Sequence, residues 1–198
     1  GGVIKNFTLK GDVLTGTVVV ASGGDFRMSG GSIEENTSTS RRSGGGVLLY
    51  AWNNNDADAT MTMSENAVIQ GNTSHDGGGI YLIGNTDFEM TGGTITNNKA
   101  NSGHGGGVCV AGTGAAAEVM AAPANDTKFT MTGGEISGNH TNNCGGGIYI
   151  NSDDVKLKGG KIENNTAGQQ GGGIYVSEPP QKAMIYNAVI TGNEASVM

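Results

Sequence analysis

The chain has 198 residues, of which 37 are glycine, and it carries a formal net charge of -7. This negative charge argues against nucleic acids and anionic membranes as partners, because both are bound through basic patches. No apolar run approaches the ~18 residues that suggest a membrane-spanning helix, and the regular placement of apolar residues argues against disorder. The two cysteines are too few for a disulfide framework.

The chain is built from a repeated unit, which is clearest between Phe129 and Val155. This unit has three short runs in which apolar and polar residues alternate, a period that is typical of β-strands. Glycine and asparagine separate the runs, which are too short to be helices. The copies begin, in chain order, at Phe7, Phe26, Met61, Phe88, Phe129, Val155 and near Lys182. The first copy is partial and ends at Leu14, and the last stops at Met198 before a triple glycine appears.

Two of the copies are longer than the others, and both gain their extra residues at the same place. Uninterrupted copies repeat every 26 residues, as from Ile69 to Ile95. The longer copies carry insertions at 51–59 and 111–128, each after the strand that follows a triple glycine. A solenoid tolerates loops at one fixed position, because they leave the stack without breaking it. The sequence therefore predicts a single β-helix domain over residues 1–198.

The length of the repeat determines the predicted fold. A unit of ~26 residues with three short strands cannot bury its own apolar face, whereas stacked copies can. Equivalent strands of successive copies then pair in parallel, ~4.8 Å apart, and parallel crossovers are right-handed in almost all proteins. The sequence thus predicts an all-β fold, a right-handed parallel β-helix solenoid with three short strands per turn and about seven turns, partial ones included.

The alternation also predicts which side chains point inward and stack in columns along the core. One predicted column is Leu9, Met28, Met63, Met90, Met131, Leu157 and Met184. A second predicted column is Leu14, Ile33, Ile69, Ile95, Ile136, Ile162 and Ile190.

An asparagine stands three residues after each isoleucine of the second column. These asparagines are Asn36, Asn72, Asn98, Asn139, Asn165 and Asn193. Their amides can bond to one another along the stack and form a ladder, and asparagine also tolerates a left-handed bend. The alternative is a row of amides that bind a ligand. We expect the glycines at corners where φ is positive or where turns stack closely.

The pattern Ile-x-x-Asn, a short spacer and GGGIY resembles the repeats of bacterial polymorphic outer-membrane proteins. That family carries paired FxxN and GGA[ILV] motifs, and the matching segments here are IENNTAGQQGGGIYV at 162–176 and ITNNKANSGHGGGVCV at 95–110. The chain is also similar to Gly/Asn-rich, adhesin-like β-helix proteins of bacterial surfaces. The resemblance implies a pectate-lyase-like right-handed β-helix, a secreted or cell-surface location, and a role in adhesion or display.

The residue before each triple glycine belongs to a column of varied polar side chains. It reads Ser43, Asp76, His104, Cys144 and Gln170. Stacking would bring Asp76, His104 and Cys144 onto consecutive turns, ~4.8 Å apart. Acid, imidazole and thiol in that order suggest a nucleophile system or a metal site of mixed ligands. The alternative is a variable corner without chemical function, which Ser43 and Gln170 favour.

A row of tyrosines on the predicted outward face is a second candidate site, because aromatic rings can stack on sugars or on a partner. Tyr81, Tyr149 and Tyr175 each stand two residues after a triple glycine. Cys109 takes the same position in its copy, and we predict that it is a free surface thiol. The alternative is ordinary packing of aromatic neighbours along a sheet.

The insertion at 51–59 is the third candidate site. It holds the only tryptophan, Trp52, together with Asn53, Asp56 and Asp58. This mixture suits carbohydrate and loosely suits calcium, and loops on rigid scaffolds often carry function. No EF-hand or nonapeptide calcium motif is present, so the sequence predicts no metal site and no cofactor.

These features predict a bacterial cell-surface or secreted adhesin-like protein, without catalytic residues, that contacts glycans or a host or partner surface protein through its loops. The alternative is a polysaccharide lyase or hydrolase, which would need acids and basic residues clustered on one face. Glu89 and Lys156 share an outward column two turns apart, but the sequence shows no full set of acid, base and cation. The incomplete last copy would leave a sheet edge unpaired, so we expect the native polypeptide to continue beyond Met198.

Overall fold

The computed structural model describes residues 2–10, 14–51, 57–111, 127–152, 154–177 and 183–196. Over these ranges the chain forms 26 strands, β1 to β26, and no helix. The strands are arranged in four sheets, and each strand pairs in parallel with its equivalents in the coils before and after it. The predicted all-β fold, a stack of parallel β-helix coils, is confirmed.

Each complete coil contributes one strand to each sheet, and the sheets are named in chain order. The first sheet contains β1 (Val3–Lys5), β5 (Ser32–Glu34), β9 (Val68–Gln70), β13 (Thr94–Thr96), β17 (Glu135–Ser137), β21 (Lys161–Glu163) and β25 (Val189–Thr191). The second contains β2 (Thr8–Leu9), β6 (Thr37–Ser38), β10 (Thr73–Ser74), β14 (Lys99–Ala100), β18 (His140–Thr141), β22 (Thr166–Ala167) and β26 (Glu194–Ala195). The third contains β3 (Gly16–Val20), β7 (Gly44–Ala51), β11 (Ile80–Gly84), β15 (Val108–Ala111), β19 (Ile148–Asn151) and β23 (Ile174–Val176). The fourth contains β4 (Asp25–Met28), β8 (Ala59–Met63), β12 (Thr86–Met90), β16 (Thr127–Met131), β20 (Asp154–Leu157) and β24 (Ala183–Ile185).

The structure corrects the predicted number of strands per turn from three to four. The added strand belongs to the second sheet, where Thr73 and Ser74 pair with Lys99 and Ala100. A strand of two residues is too short to show alternation, so the periodicity of the sequence could not reveal it.

The first coil begins earlier than the sequence alignment predicted. Ile4, and not Leu14, pairs with Ile33 at the start of the isoleucine column. Leu9 pairs with Ser38 in the second sheet, so its predicted place in the methionine column is also wrong. The alignment failed here because this coil has neither the ladder asparagine nor the triple glycine that mark the other coils.

The last coil is shifted by one residue relative to the prediction. Met184 pairs with Lys156, whereas Ile185 pairs with Leu157 and continues the methionine column. Met184 therefore does not belong to the inward column to which the alternation assigned it.

The inward side chains of the first, third and fourth sheets form one continuous core. Met63, Met90 and Met131 are fully buried in it, as are the isoleucines of the first sheet in the central coils. Phe88 and Phe129 of the fourth sheet stack with their ring centroids 5.0 Å apart and their planes at 5°. Each large side chain buried in this way contributes ~1.5–3 kcal/mol, so repetition of one pattern stabilises the whole stack.

The asparagine column forms the predicted hydrogen-bonded ladder. Nδ2 of Asn72 donates to Oδ1 of Asn98 at 3.0 Å and to the carbonyl oxygen of Ile33 at 2.9 Å. The backbone N–H of Asn72 donates to the same Oδ1 at 2.9 Å. These three bonds recur at every ladder asparagine from Asn36 to Asn165. Both amide hydrogens are used within the ladder, which leaves none for a ligand.

The left-handed bend lies one residue before each ladder asparagine, and not at the asparagine itself as the sequence suggested. These bend residues and their φ angles are Glu35 (57°), Gly71 (63°), Asn97 (55°), Gly138 (62°), Asn164 (56°) and Gly192 (63°). Glycine and asparagine are the residues that adopt this conformation most easily. Glu35 is the exception, and its backbone is therefore strained.

The triple glycines lie where successive coils approach each other closely. Gly145 has a φ of 74°, which disfavours residues with a side chain. A Cβ on Gly146 would collide with the carbonyl oxygen of Gly172 in the next coil and would lie 2.5 Å from that of Thr166. Both predicted roles of these glycines are confirmed.

Candidate functional site

The column of residues before the triple glycines is stacked, as the sequence suggested. The backbone N–H of Gly77 donates to the carbonyl oxygen of His104, and that of Gly105 donates to the carbonyl oxygen of Cys144. These bonds bring Asp76, His104 and Cys144 onto consecutive coils at one corner of the solenoid. We call these three residues the corner column.

Asp76 is bonded to groups other than the imidazole of its neighbour in the corner column. Its Oδ2 lies 2.8 Å from Nδ1 of His75, and its Oδ1 accepts the backbone N–H of His104 at 3.0 Å. The hydrogen bond to Asp76 raises the pKa of His75 above its ordinary value. The carboxylate therefore pairs with His75 and holds the backbone of the next coil.

The surroundings of His104 favour the neutral form of its ring. Its Nδ1 accepts the backbone N–H of Cys144 at 3.4 Å, so its proton resides on Nε2. Burial lowers the pKa of His104. The ring stacks on Tyr149 with centroids 4.3 Å apart and planes at 19°. These contacts position the imidazole as a packing group within the corner.

Cys144 directs its thiol away from His104. The Sγ atom donates to Oε1 of Gln169 in the next coil at 3.7 Å, and the residue is buried. A cysteine nucleophile needs its sulfur, and not its backbone N–H, within reach of the imidazole. In this geometry Asp76, His104 and Cys144 are neighbours, but their functional atoms do not form a relay.

The row that includes the tyrosines is in register, but much of it is buried and not on the surface. Leu48, Tyr81, Cys109, Tyr149 and Tyr175 pair in successive strands of the third sheet. Tyr81 and Cys109 are each only 2% exposed. The prediction that Cys109 is a surface thiol is therefore wrong, and burial raises the pKa values of Cys109 and Tyr81 well above their ordinary values.

The buried residues of this row belong to a second apolar cluster, which lies on the outer face of the third sheet. Leu48, Tyr81, Cys109, Ile83 and Ala111 form the cluster, and Leu14, Tyr50 and Tyr149 pack against it. Alternation marks such residues as outward but does not reveal whether other groups cover them. The sequence signal for this second layer is that apolar residues occupy both phases of these strands.

Ring stacking limits how the half-buried tyrosines can bind a sugar. Tyr149 and Tyr175 stack with centroids 5.6 Å apart and planes at 13°, and His104 covers the other face of Tyr149. Both faces of Tyr149 are therefore occupied within the protein. Binding of a sugar at Tyr149 would have to use the ring edge and the hydroxyl group.

Both long insertions begin at one edge of the solenoid, between the third and fourth sheets. The strands on either side leave 52–58 and 112–126 as the inserted segments, which are slightly shorter than the predicted 51–59 and 111–128. β7 ends at Ala51 and β15 ends at Ala111, and both strands pair with β11, opposite Gly84 and Ile83. The two insertions therefore begin two strand spacings apart, or ~10 Å. We call this the insertion edge. Trp52, Asn53 and Asp56 lie outside the described residues, and Asp58 is half-buried just before β8.

The outward side chains at the start of the fourth sheet form a charged face next to the insertion edge. Asp87, Lys128 and Asp154 are opposite one another in successive strands. Glu89 and Lys156 occupy the next outward position along these strands, and Lys156 pairs with Asp154. We call these five residues the charged face.

Burial and the surrounding charges raise the pKa of Asp87. Burial is the main cause of the raised pKa of Asp87; Lys128 opposes the rise, and Asp58, Glu89 and Asp154 add to it. A protonated carboxyl group is therefore favoured here more than at an ordinary surface position.

Sequence reasoning found Glu89 and Lys156 but missed the other members of the charged face. The overlooked charged residues stand one position before each phenylalanine of the fourth sheet. Phe88 and Phe129 point inward, so alternation predicts that Asp87 and Lys128, which directly precede them, point outward. This becomes visible once the predicted strands are extended toward their N-terminal ends. Among the described residues, no group of three or more His, Cys, Asp and Glu side chains is arranged to hold a metal ion.

The fold and its ladder define a repeat protein of the parallel β-helix class. Residues 161–177 match the family model of the Chlamydia polymorphic membrane protein repeat. This segment spans β21 to β23 and includes the Ile-x-x-Asn and triple-glycine motifs. The chain thus carries a repeat that points to a bacterial outer-membrane or surface protein. No curated protein and no solved structure matches this chain.

Within the described ranges, no helix is long and apolar enough to cross a membrane.

Proposed function

We propose that this protein is a non-catalytic, adhesin-like display protein of the bacterial surface. Its β-helix would act as a rigid support, and the insertions at 52–58 and 112–126 would contact glycans or a surface protein of a host or partner. The proposal agrees with the match to a surface-protein repeat and with a corner column that is bonded for packing and not for chemistry.

The observation that carries this proposal is the shared insertion edge. Two segments of different sequence begin where the strands on either side of β11 end, and the hydrogen bonds of the sheet fix the separation of their starting points. A rigid base that presents two loops side by side is a common design for binding sites. Asp58 is half-buried at this edge and belongs to the same insertion as Trp52, so it is the described residue through which this insertion can be tested.

A glycan-array and cell-binding screen, run with calcium and with a chelator, tests this function. We expect binding that decreases at least tenfold in Trp52→Ala and in Asp58→Asn. Glu163→Gln, a half-buried residue of the first sheet, is the control and should bind as the wild type does. Binding that is unchanged in both insertion-edge variants would place the contact elsewhere and refute this assignment.

The charged face favours a second candidate function, a polysaccharide lyase or hydrolase. Asp87 and Glu89 lie two residues apart on one strand face, so their Cα atoms are ~6.6 Å apart. Side chains at this Cα spacing can place their carboxyl groups within the ~5–9.5 Å that separates the carboxyl pairs of glycosidases, and the raised pKa of Asp87 suits a general acid. Lys128 adds a cation beside this pair.

Incubation with a panel of acidic and neutral polysaccharides distinguishes the two functions. New reducing ends or unsaturated products that disappear in Asp87→Asn would establish the enzyme. Glycan binding without shortened products supports the display protein.

A further inference from the structure

We propose that a trough at the corner between the fourth and first sheets binds an extended, neutral, β-linked glycan that lies along the axis of the stack. The trough has a volume of about 600 Å³, which is within the ~300–1,000 Å³ of small-molecule binding sites. It lies on a different edge of the solenoid from the insertions. The inference therefore goes beyond the proposed function and does not depend on it.

The trough has two ends that are set by side chains of the stacked coils. Glycines of three successive coils line its middle, namely Gly92, Gly93, Gly134 and Gly160. In the coil before and the coil after, Glu65 and Asn187 take the place of the first glycine of each pair, and both also line the trough. These two positions are four coil spacings apart, or ~19 Å. The trough thus has a defined length along the stack.

The middle of the trough is bare backbone that no side chain can fill. Gly134 has a φ of 85°, which disfavours any residue with a Cβ. A Cβ on Gly92 would lie 2.7 Å from the backbone nitrogen of Glu65 in the preceding coil. Hydrogen bonds between coils hold this backbone in place. The trough is therefore preformed, which lowers the entropy that a ligand loses on binding.

The bare backbone presents a row of hydrogen-bond donors. Among the described residues, the backbone N–H groups of Gly93, Gly134 and Gly160 have no acceptor in the protein, and all three glycines are partly exposed. Their carbonyl oxygens are already used, because each accepts the backbone N–H two residues further on in the coil that follows, as Gly93 does from Glu135. A ligand of this row must therefore supply acceptors, one for each coil.

Polar side chains form the wall of the trough on the side of the first sheet. Thr94, Glu135 and Lys161 occupy the first position of β13, β17 and β21 and line the trough. Glu135 and Lys161 are opposite each other, yet among the described residues neither side chain forms an ion pair. Glu135 can accept from a hydroxyl group and Lys161 can donate to one. Because Glu65 and Glu135 together outweigh Lys161, an acidic ligand is disfavoured.

The spacing of the donors distinguishes a glycan from a peptide. The donors of successive coils are ~4.8 Å apart. An extended peptide presents carbonyl groups on one edge at every second residue, ~6.6 Å apart, so it would lose register with the row within three coils. One pyranose ring of an extended β-linked glycan has a length close to one coil spacing and carries oxygen acceptors on every ring. The trough accordingly has room for about four sugar residues.

Isothermal titration calorimetry of the whole protein with cello-, xylo- and chito-oligosaccharides of two to six residues tests the proposal. In at least one series the affinity should rise at least tenfold from two to four residues and less than twofold from four to six. No binding in any series would overturn the proposal. An affinity that does not depend on length, or that rises equally at every added residue, would also overturn it, because neither fits a trough of defined length.

Two pairs of variants locate the contact. Thr94→Trp puts a large side chain into the middle of the trough and should lower the affinity at least tenfold. Thr96→Trp, at the next outward position of the same strand and outside the trough, should leave it unchanged. Circular dichroism confirms that both variants fold.

The second pair uses exposed lysines, whose replacement does not disturb the core. Lys161→Ala should weaken binding at least threefold, whereas Lys99→Ala in the second sheet should not. Binding that is unchanged in both Thr94→Trp and Lys161→Ala would overturn the proposal. Binding that is lost in Asp58→Asn but kept in Thr94→Trp would mean that the insertion edge holds the glycan, which would overturn the trough and support the proposed function.

Discussion

The ladder of asparagines and the corner column both run along the stack, one residue per coil, yet they differ in every other respect. The ladder repeats one residue and one set of bonds, as at Asn72 and Asn98. In the corner column, Asp76 accepts a backbone N–H, His104 accepts another through its ring, and Cys144 faces a glutamine. Identical residues mark a position that stacking requires. Varied residues mark a position at which the stacked coils accept different side chains.

The largest expected effect is a loss of stability when the ladder is broken in its centre. Asn98→Leu removes the acceptor of the backbone N–H and Nδ2 of Asn72. Each buried group left unpaired costs ~1–3 kcal/mol, so we expect the free energy of unfolding to fall by about 3–5 kcal/mol. Urea unfolding monitored by circular dichroism measures this change.

His104→Leu is the matched change in the corner column. It removes the stacking contact with Tyr149 and one weak hydrogen bond, and we expect a loss of no more than ~1.5 kcal/mol. If both variants lost the same free energy, the distinction between a required and a tolerant column would be wrong.

The next largest effect concerns the close approach of two coils at a triple glycine. Gly146→Ala places a methyl group against the carbonyl oxygen of Gly172, and we expect a loss of ~1–3 kcal/mol from overpacking. Gly30→Ala is the control, because its Cβ would meet no atom within 4 Å and its φ is not positive. It should be neutral or stabilising by up to ~1 kcal/mol. Thermal unfolding of the two variants distinguishes a packing requirement from a general preference for glycine.

The fold could be predicted where one strong pattern repeats, and not where the pattern stops. Isoleucine and asparagine at fixed spacing gave the correct core column and ladder in the central coils. Phe7 took the ladder position of the first coil without any resemblance to asparagine, so the register of that coil was missed. The position of a residue in a column depends on the hydrogen bonds between coils. When the residue type is unusual, as at Phe7, the sequence does not predict those bonds.

The candidate site could be predicted only in part. Alternation predicts whether a side chain points inward or outward, but not whether an outward side chain is buried by other groups. The stacking of Asp76, His104 and Cys144 followed from the repeat, but the choice between backbone and side-chain bonds did not. Tyr81 and Cys109 are buried in a second apolar cluster on the outward face of the third sheet, which alternation alone does not predict. The predicted roles of the tryptophan-bearing insertion stay predictions.

A smaller and opposite effect is expected at the bend that precedes the ladder. Glu35 has a φ of 57°, whereas glycine or asparagine occupies the equivalent positions of the later coils. Glu35→Gly should stabilise the protein by about 0.5–1 kcal/mol, since the left-handed conformation costs ~1–2 kcal/mol for a residue with a Cβ and glycine loses part of that gain to entropy. The urea midpoint measures the change. Glu35→Gln, which removes only the charge, should not reproduce it; if it did, charge and not backbone strain would be the cause.

The smallest effect is a pH dependence that separates two histidines at the same corner. Burial lowers the pKa of His104, so its contribution to stability is present above the unfolded value of ~6.5 and decreases as the pH falls below it. Asp76 raises the pKa of His75, so that contribution is complete below ~6.5 and is lost as the pH rises through the folded value. Urea midpoints between pH 5.5 and 8 should therefore decline less on the acid side in His104→Gln, and less on the alkaline side in His75→Gln.

Asp76→Asn is the control that should reproduce the alkaline effect of His75→Gln, because it removes the partner and leaves the imidazole. A profile that His104→Gln leaves unchanged would show that the imidazole of the corner column is not held neutral by the fold.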